Sequence, residues 1–141
     1  MALPPWLVAF ETSGPLFANE PPAFGSRRFL ELIAEGPRTA QPQPAAGQPL
    51  DDWLWSKIGP RVNRTGGLVR AIDHPSGPGV AIELVRQPGT AQAWRLAAYA
   101  IRTPAGVAFL LIDGPPESWA GHEVDAALIP VLMELGPGRA G

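Results

Sequence analysis

Apolar and polar residues alternate most regularly in the second half of the chain. Over residues 80–87, Val80, Ile82 and Leu84 fall on one face, and Ala81, Glu83, Val85 and Gln87 on the other. This period of two predicts a β-strand with one face against a core. Residues 91–102 continue the pattern, with Trp94, Leu96, Ala98 and Ala100 opposite Arg95, Ala97, Tyr99 and Ile101. Residues 68–73 predict a shorter strand, and residues 107–112 (VAFLLI) one that is apolar on both faces. Segments bearing Gly and Pro separate the four: HPSGPG at 74–79, PGT at 88–90 and TPAG at 103–106. Such short turns join strands into an antiparallel meander. A strand apolar on both faces calls for a covering layer on each side of the sheet.

Helical spacing precedes and follows this meander. Leu50, Trp53, Leu54 and Ile58 stand at i, i+3, i+4 and i+8, with Asp51 and Asp52 in the first turn and Gly59 and Pro60 as a stop. They predict a helix over residues 50–58, with Trp55 off its apolar stripe. Near the C-terminus Asp125 reads as an N-cap, and Leu128, Ile129, Val131, Leu132 and Leu135 as one apolar face, ended by Gly136 and Pro137. Pro130 kinks that helix or delays its start. Residues 26–36 place Phe29, Leu32 and Ile33 at helical spacing between Ser26 and Gly36, predicting a short helix, with a strand over 29–33 as the alternative. The first 25 residues, cut by Gly14, Pro15, Pro21 and Pro22, hold at most a short strand at 6–10. Residues 37–49 (PRTAQPQPAAGQP) read as an extended surface loop. They contain no P-x-x-P docking core.

The expected architecture is one α+β domain over residues 1–141, an antiparallel meander flanked by helices as an α/β/α sandwich. Residues 1–49 form its irregular, Pro-rich part. Helix, meander and closing helix, in that order, resemble the PsbP-like superfamily over residues 50–135. The resemblance is carried by the aromatic-bearing strand Trp94-Arg95-Leu96-Ala97-Ala98-Tyr99, the turn ending in Gly106, the apolar strand at 107–112 and Trp119 in the loop beyond it. It implies an α/β/α sandwich and a non-catalytic, accessory role. Known members resemble extrinsic photosystem subunits, small-GTPase partners and uncharacterised bacterial proteins. No ligand residue carries over.

Composition sharpens the picture by exclusion. The 16 Gly and 18 Pro make up 34 of 141 residues, yet 45% of the chain is hydrophobic, which is more than a disordered chain carries. Eleven basic residues against 13 acidic ones give a net charge of −2. Arg27 and Arg28 form the only adjacent basic pair, so nucleic-acid binding is disfavoured. The chain has no Cys, which excludes disulfides, thiol catalysis and cysteine-held metals. MALPPWLVAF lacks a basic n-region, and no apolar run approaches the ~20 residues of a membrane span. A cytoplasmic protein without a membrane span is expected.

Candidate chemistry is sparse. Asp73 and His74, with His122, Glu123 and Asp125, offer imidazole and carboxylate groups for a metal or a small-molecule cleft, but at no known ligand spacing. Ser76 stands near His74, but in turn sequence rather than at a nucleophile elbow. No cofactor and no catalytic residue is assigned. Of five Trp, Trp53 and Trp94 fit the core faces. Trp6, Trp55 and Trp119 lack an obvious inward place and are the candidate anchors of a docking surface for another protein or a second copy. The functional expectation is a non-catalytic accessory or interaction protein, a subunit or partner of a larger bacterial assembly; a small-molecule binder or minor enzyme with a cleft near His74 and His122 is the alternative.

Overall fold

The period-two pattern of the second half is realised as four long strands. The computed structural model describes residues 8–10, 16–19, 31–36, 40, 42–59, 67–74 and 77–120. Its elements in chain order are β1 (Val8–Phe10), β2 (Leu16–Asn19), β3 (Glu31–Glu35), α1 (Leu50–Ile58), β4 (Leu68–His74), β5 (Gly77–Arg86), β6 (Trp94–Thr103), β7 (Gly106–Gly114) and α2 (Pro116–Ala120). All seven strands join one antiparallel sheet in the order β1-β2-β3-β7-β6-β5-β4. The chain builds β1–β3 as one meander and crosses over through α1 to the far edge. It then returns strand by strand until β7 lies beside β3.

The α/β/α sandwich is not what forms. Among the described residues, α1 is the one helix laid across a sheet face, against β5 and β6. The other, α2, is a five-residue turn of helix near β6. The expected C-terminal helix at 125–135 lies outside the described residues. Both sheet faces are nonetheless apolar, which is why the sequence suggested two helical layers. Residues 31–35 settle as a strand rather than a helix. Leu32 and Ala34 are buried on one face while Glu31, Ile33 and Glu35 turn to the other, a period of two. Three strands of the sheet thus come from the Pro-rich part read as irregular.

The core under α1 gathers Trp53, Leu54, Trp55 and Ile58 from the helix. The sheet adds Val80, Ile82 and Leu84 of β5, Leu96, Ala98 and Ala100 of β6, and Val107, Phe109 and Leu111 of β7. Trp53 meets Phe109 edge to face, with centroids 6.3 Å apart. Helix α1 begins at Pro49 without a side-chain cap, carries Asp51 and Asp52 in its first turn, and stops at Gly59 with φ +61°. Its last turn is tied to the sheet. Lys57 Nζ lies 2.8 Å from the Glu35 carboxylate and 5.4 Å from the Phe109 ring centre. The opposite face buries Leu32, Ala97, Tyr99, Ile101, Leu110 and Ile112.

The segment before α1, read as a loose loop, is pinned. Ala40 is fully buried, and the Trp53 indole N–H donates to the Pro42 carbonyl at 2.8 Å. The Gln43 side chain imitates a neighbouring strand. Its Oε1 accepts from the Val107 N–H at 2.8 Å, and its Nε2 donates to the Val107 carbonyl at 3.1 Å. The primary amide thereby satisfies both backbone groups of Val107.

The turn residues expected at 74–79 are mostly strand. Register pairs His74 with Gly77 and Ile72 with Gly79, leaving only residues 75 and 76 between β4 and β5. Gly79 is required by close approach. A Cβ there stands 2.8 Å from the Ala100 carbonyl oxygen and 2.8 Å from Ile72 Cγ1. Backbone at that distance yields only by distorting the ladder. Gly79→Ala is therefore expected to destabilise by about 1–3 kcal/mol. Leu54→Ala, which empties a fully buried site, is expected to cost about 2–5 kcal/mol. Chemical-denaturation midpoints measure both.

Candidate interaction edge

Two of the three Trp that suggested a docking surface, Trp55 and Trp119, are buried. Trp55 is 8% exposed and packs in the α1 core. The helix lies on a broad sheet, so three consecutive residues, Trp53 to Trp55, bury together and the stripe widens past i, i+3, i+4. Trp119 of α2 is 3% exposed, with the Arg95 guanidinium 4.4 Å over its ring. Its indole N–H is buried without a hydrogen-bond partner. Trp6 lies outside the described residues.

The acid and imidazole candidates are also not brought together. His74 ends β4 and Asp73 is exposed beside it, whereas Ser76, His122, Glu123 and Asp125 lie outside the described residues. Among the described residues no group of three or more His, Cys, Asp or Glu is placed to hold a metal ion.

Among the described residues the strand order ends at β1 and at β4, and the β4 end is the one that carries exposed apolar side chains. Strand β4 ends the hydrogen-bonded order, so one row of its backbone groups faces away from the sheet. The large apolar side chains most exposed among the described residues cluster at that edge: Leu68 at 61%, Val69 at 42% and Val85 of β5 at 42%. Alternation sorts them by face. Val69 pairs with Ile82 on the α1 side. Leu68 pairs with Glu83 on the other side, where Val85 is its diagonal neighbour. Arg70 is held inward by Glu83, Nη2 to Oε1 3.3 Å, while Asp73 is left exposed on the α1 side. The sequence signal was the exposed dipeptide Leu68-Val69 directly after Gly66 and Gly67. It was hidden because which strand becomes the edge is decided by non-local pairing.

A second feature lies on the α1 face, where β3 begins and β7 ends. Glu31 stands directly opposite Asp113 in the register. Burial pushes the Asp113 carboxyl up to about 6, aided by the Glu31 charge and a hydrogen bond to Glu31; a hydrogen bond from Trp94 and the Arg86 charge oppose the shift. Neither acid stood out in the sequence, Asp113 because it follows an unbroken apolar run and Glu31 because it sat inside an expected helix.

No family model matches the chain, and no curated protein matches it. Among solved structures it is similar to the protein of unknown function PA94 from Pseudomonas aeruginosa. That match has 13% identity and a TM-score of 0.52, over 93% of this chain and 96% of the other. The likeness is one of fold. It extends over nearly the whole of both chains. No helix among the described residues is long and apolar enough to cross a membrane.

The Asp113 carboxyl generates a prediction. The folded state holds this proton more tightly than the unfolded chain, so stability falls as pH rises from about 4 to about 6 and stays lower above that. Water reaching the half-buried group limits the effect to about 1–2 kcal/mol. Asp113→Asn keeps an acceptor for Trp94 and removes the charge. Urea titrations at pH 4.5 and 7.5 are expected to show that loss in the wild type and not in the variant.

Proposed function

We propose that the chain is a non-catalytic accessory protein that takes an extended strand of another protein onto the edge of its sheet at β4. The supporting observation is that β4 closes the strand order while Leu68, Val69 and Val85 beside it stay exposed. Strand addition draws affinity from backbone hydrogen bonds and specificity from alternate side chains. The strand that fits carries aliphatic residues opposite Leu68 and Val69, and a basic residue opposite the exposed Asp73.

A second copy of the chain fits less well. Two-fold antiparallel pairing keeps each residue on its own face, and Arg70 and Asp73, three apart in one strand, lie on opposite faces. No symmetric register sets Arg70 against Asp73. Centred on Ala71, such pairing places Asp73 opposite Val69. A heterologous strand with a base at that place avoids the mismatch.

The test is selection of strand-forming peptides from a displayed library against the folded protein, followed by amide chemical-shift mapping. Selected peptides are expected to alternate, to carry a basic residue and to shift the amides of residues 68–73. Leu68→Lys with Val69→Lys is expected to weaken binding at least tenfold while moving stability by less than about 0.5 kcal/mol, both sites being exposed. Peptide shifts mapping away from β4 would overturn the proposal. So would protection of β4 that rises with protein concentration alone, which assigns the edge to a second copy.

A further inference from the structure

Strand β3 holds the β1–β3 meander to the rest of the sheet through five register pairs, from Glu31 with Asp113 to Glu35 with Phe109. Glu31, Ile33 and Glu35 share the α1 face, so both ends of this short ladder carry a carboxylate on the same side. The two ends are treated oppositely. At the Glu35 end Lys57 of α1 supplies a cation at 2.8 Å, with both side chains 12% exposed. At the Glu31 end the directly opposed residue is another carboxylic acid, Asp113, half-buried in the sheet.

We propose that the β3–β7 junction is a proton-controlled latch: a proton on Asp113, donated in a hydrogen bond to Glu31, holds the Glu31 end of the ladder closed, and its loss sets two like charges across the strands and lets that end open. The charged and polar groups that face Asp113 among the described residues are few. Glu31 comes from β3, the Trp94 side chain from β6 and Arg86 from β5. Trp94 and Arg86 favour the ionised carboxylate, whereas burial and Glu31 disfavour it, and burial dominates. The raised proton affinity, to about 6, sets the range over which the latch works. Opening spreads no further than the charge repulsion reaches, because the Lys57–Glu35 pair clamps the other end. The device therefore tunes the attachment of β1–β3 rather than the stability of the whole sheet. It does not depend on the proposed strand addition at β4, which lies three strand positions beyond β7 along the sheet.

Amide hydrogen exchange on the intact protein tests this, with protection factors corrected for the intrinsic rise of exchange rate with pH. Between pH 5 and pH 8, protection at Ile33 and Leu111, a hydrogen-bonded pair of the β3–β7 ladder, is expected to fall about tenfold relative to the β5–β6 amides of residues 81–84 and 97–100. Asp113→Asn is expected to abolish that difference. Glu31→Gln, at an exposed site that leaves the core untouched, is expected to reduce it and to lower the Asp113 titration midpoint seen by carboxyl carbon NMR. A pH response equal in all strands would overturn the latch. So would a response at Ile33 and Leu111 that survives both substitutions.

Discussion

The pairing of β3 with β7 is the constraint on which the rest of the molecule depends. Residues 107–112 are buried on both faces, so β7 is the worst strand of this chain to leave at an edge. Five residues of β3 cover its open side and, in doing so, attach β1 and β2 to the sheet. Because the chain reaches β7 only after crossing to β4 and returning, this closure joins residues about 80 positions apart. It is a non-local contact whose closure must overcome considerable chain entropy.

Other features follow from that closure. Helix α1 lies over the meander and reaches β3 through the Lys57–Glu35 ion pair, so one helix braces both halves. The Gln43 amide completes the backbone pairing of Val107 at the start of β7, before the ladder with β3 begins. With β7 interior, the exposed edge of the long meander is β4, shorter and bearing Arg70 and Asp73. The fold thus protects its most apolar strand and exposes one whose charges discourage indiscriminate pairing. That asymmetry is what the proposed strand addition at β4 draws on.

Local pattern made the meander legible. The alternation of Val80, Ile82 and Leu84, and of Leu96, Ala98 and Ala100, named the face that meets α1, and the stripe of Leu50, Trp53, Leu54 and Ile58 named the helix. What local pattern does not carry is pairing. Glu31 to Glu35 can satisfy helical spacing or period two, and only the presence of β7 beside them decides for strand. The same blindness concealed the Glu31–Asp113 opposition and the identity of the edge strand. The Trp residues misled for a related reason. Off-stripe position suggested exposure, but a broad sheet buries more of a helix than a narrow groove does, and α2 folds Trp119 inward beneath Arg95.

The most direct measurement is the set of cross-strand NOEs between β3 and β7. Antiparallel partners in non-hydrogen-bonded positions bring their Cα atoms to about 4.5 Å, close enough for strong Hα–Hα contacts. Such contacts are expected at alternate pairs of the Leu32–Ile112, Ile33–Leu111 and Ala34–Leu110 register. Their absence, or contacts that place β7 beside any strand other than β3 and β6, would contradict the single continuous sheet.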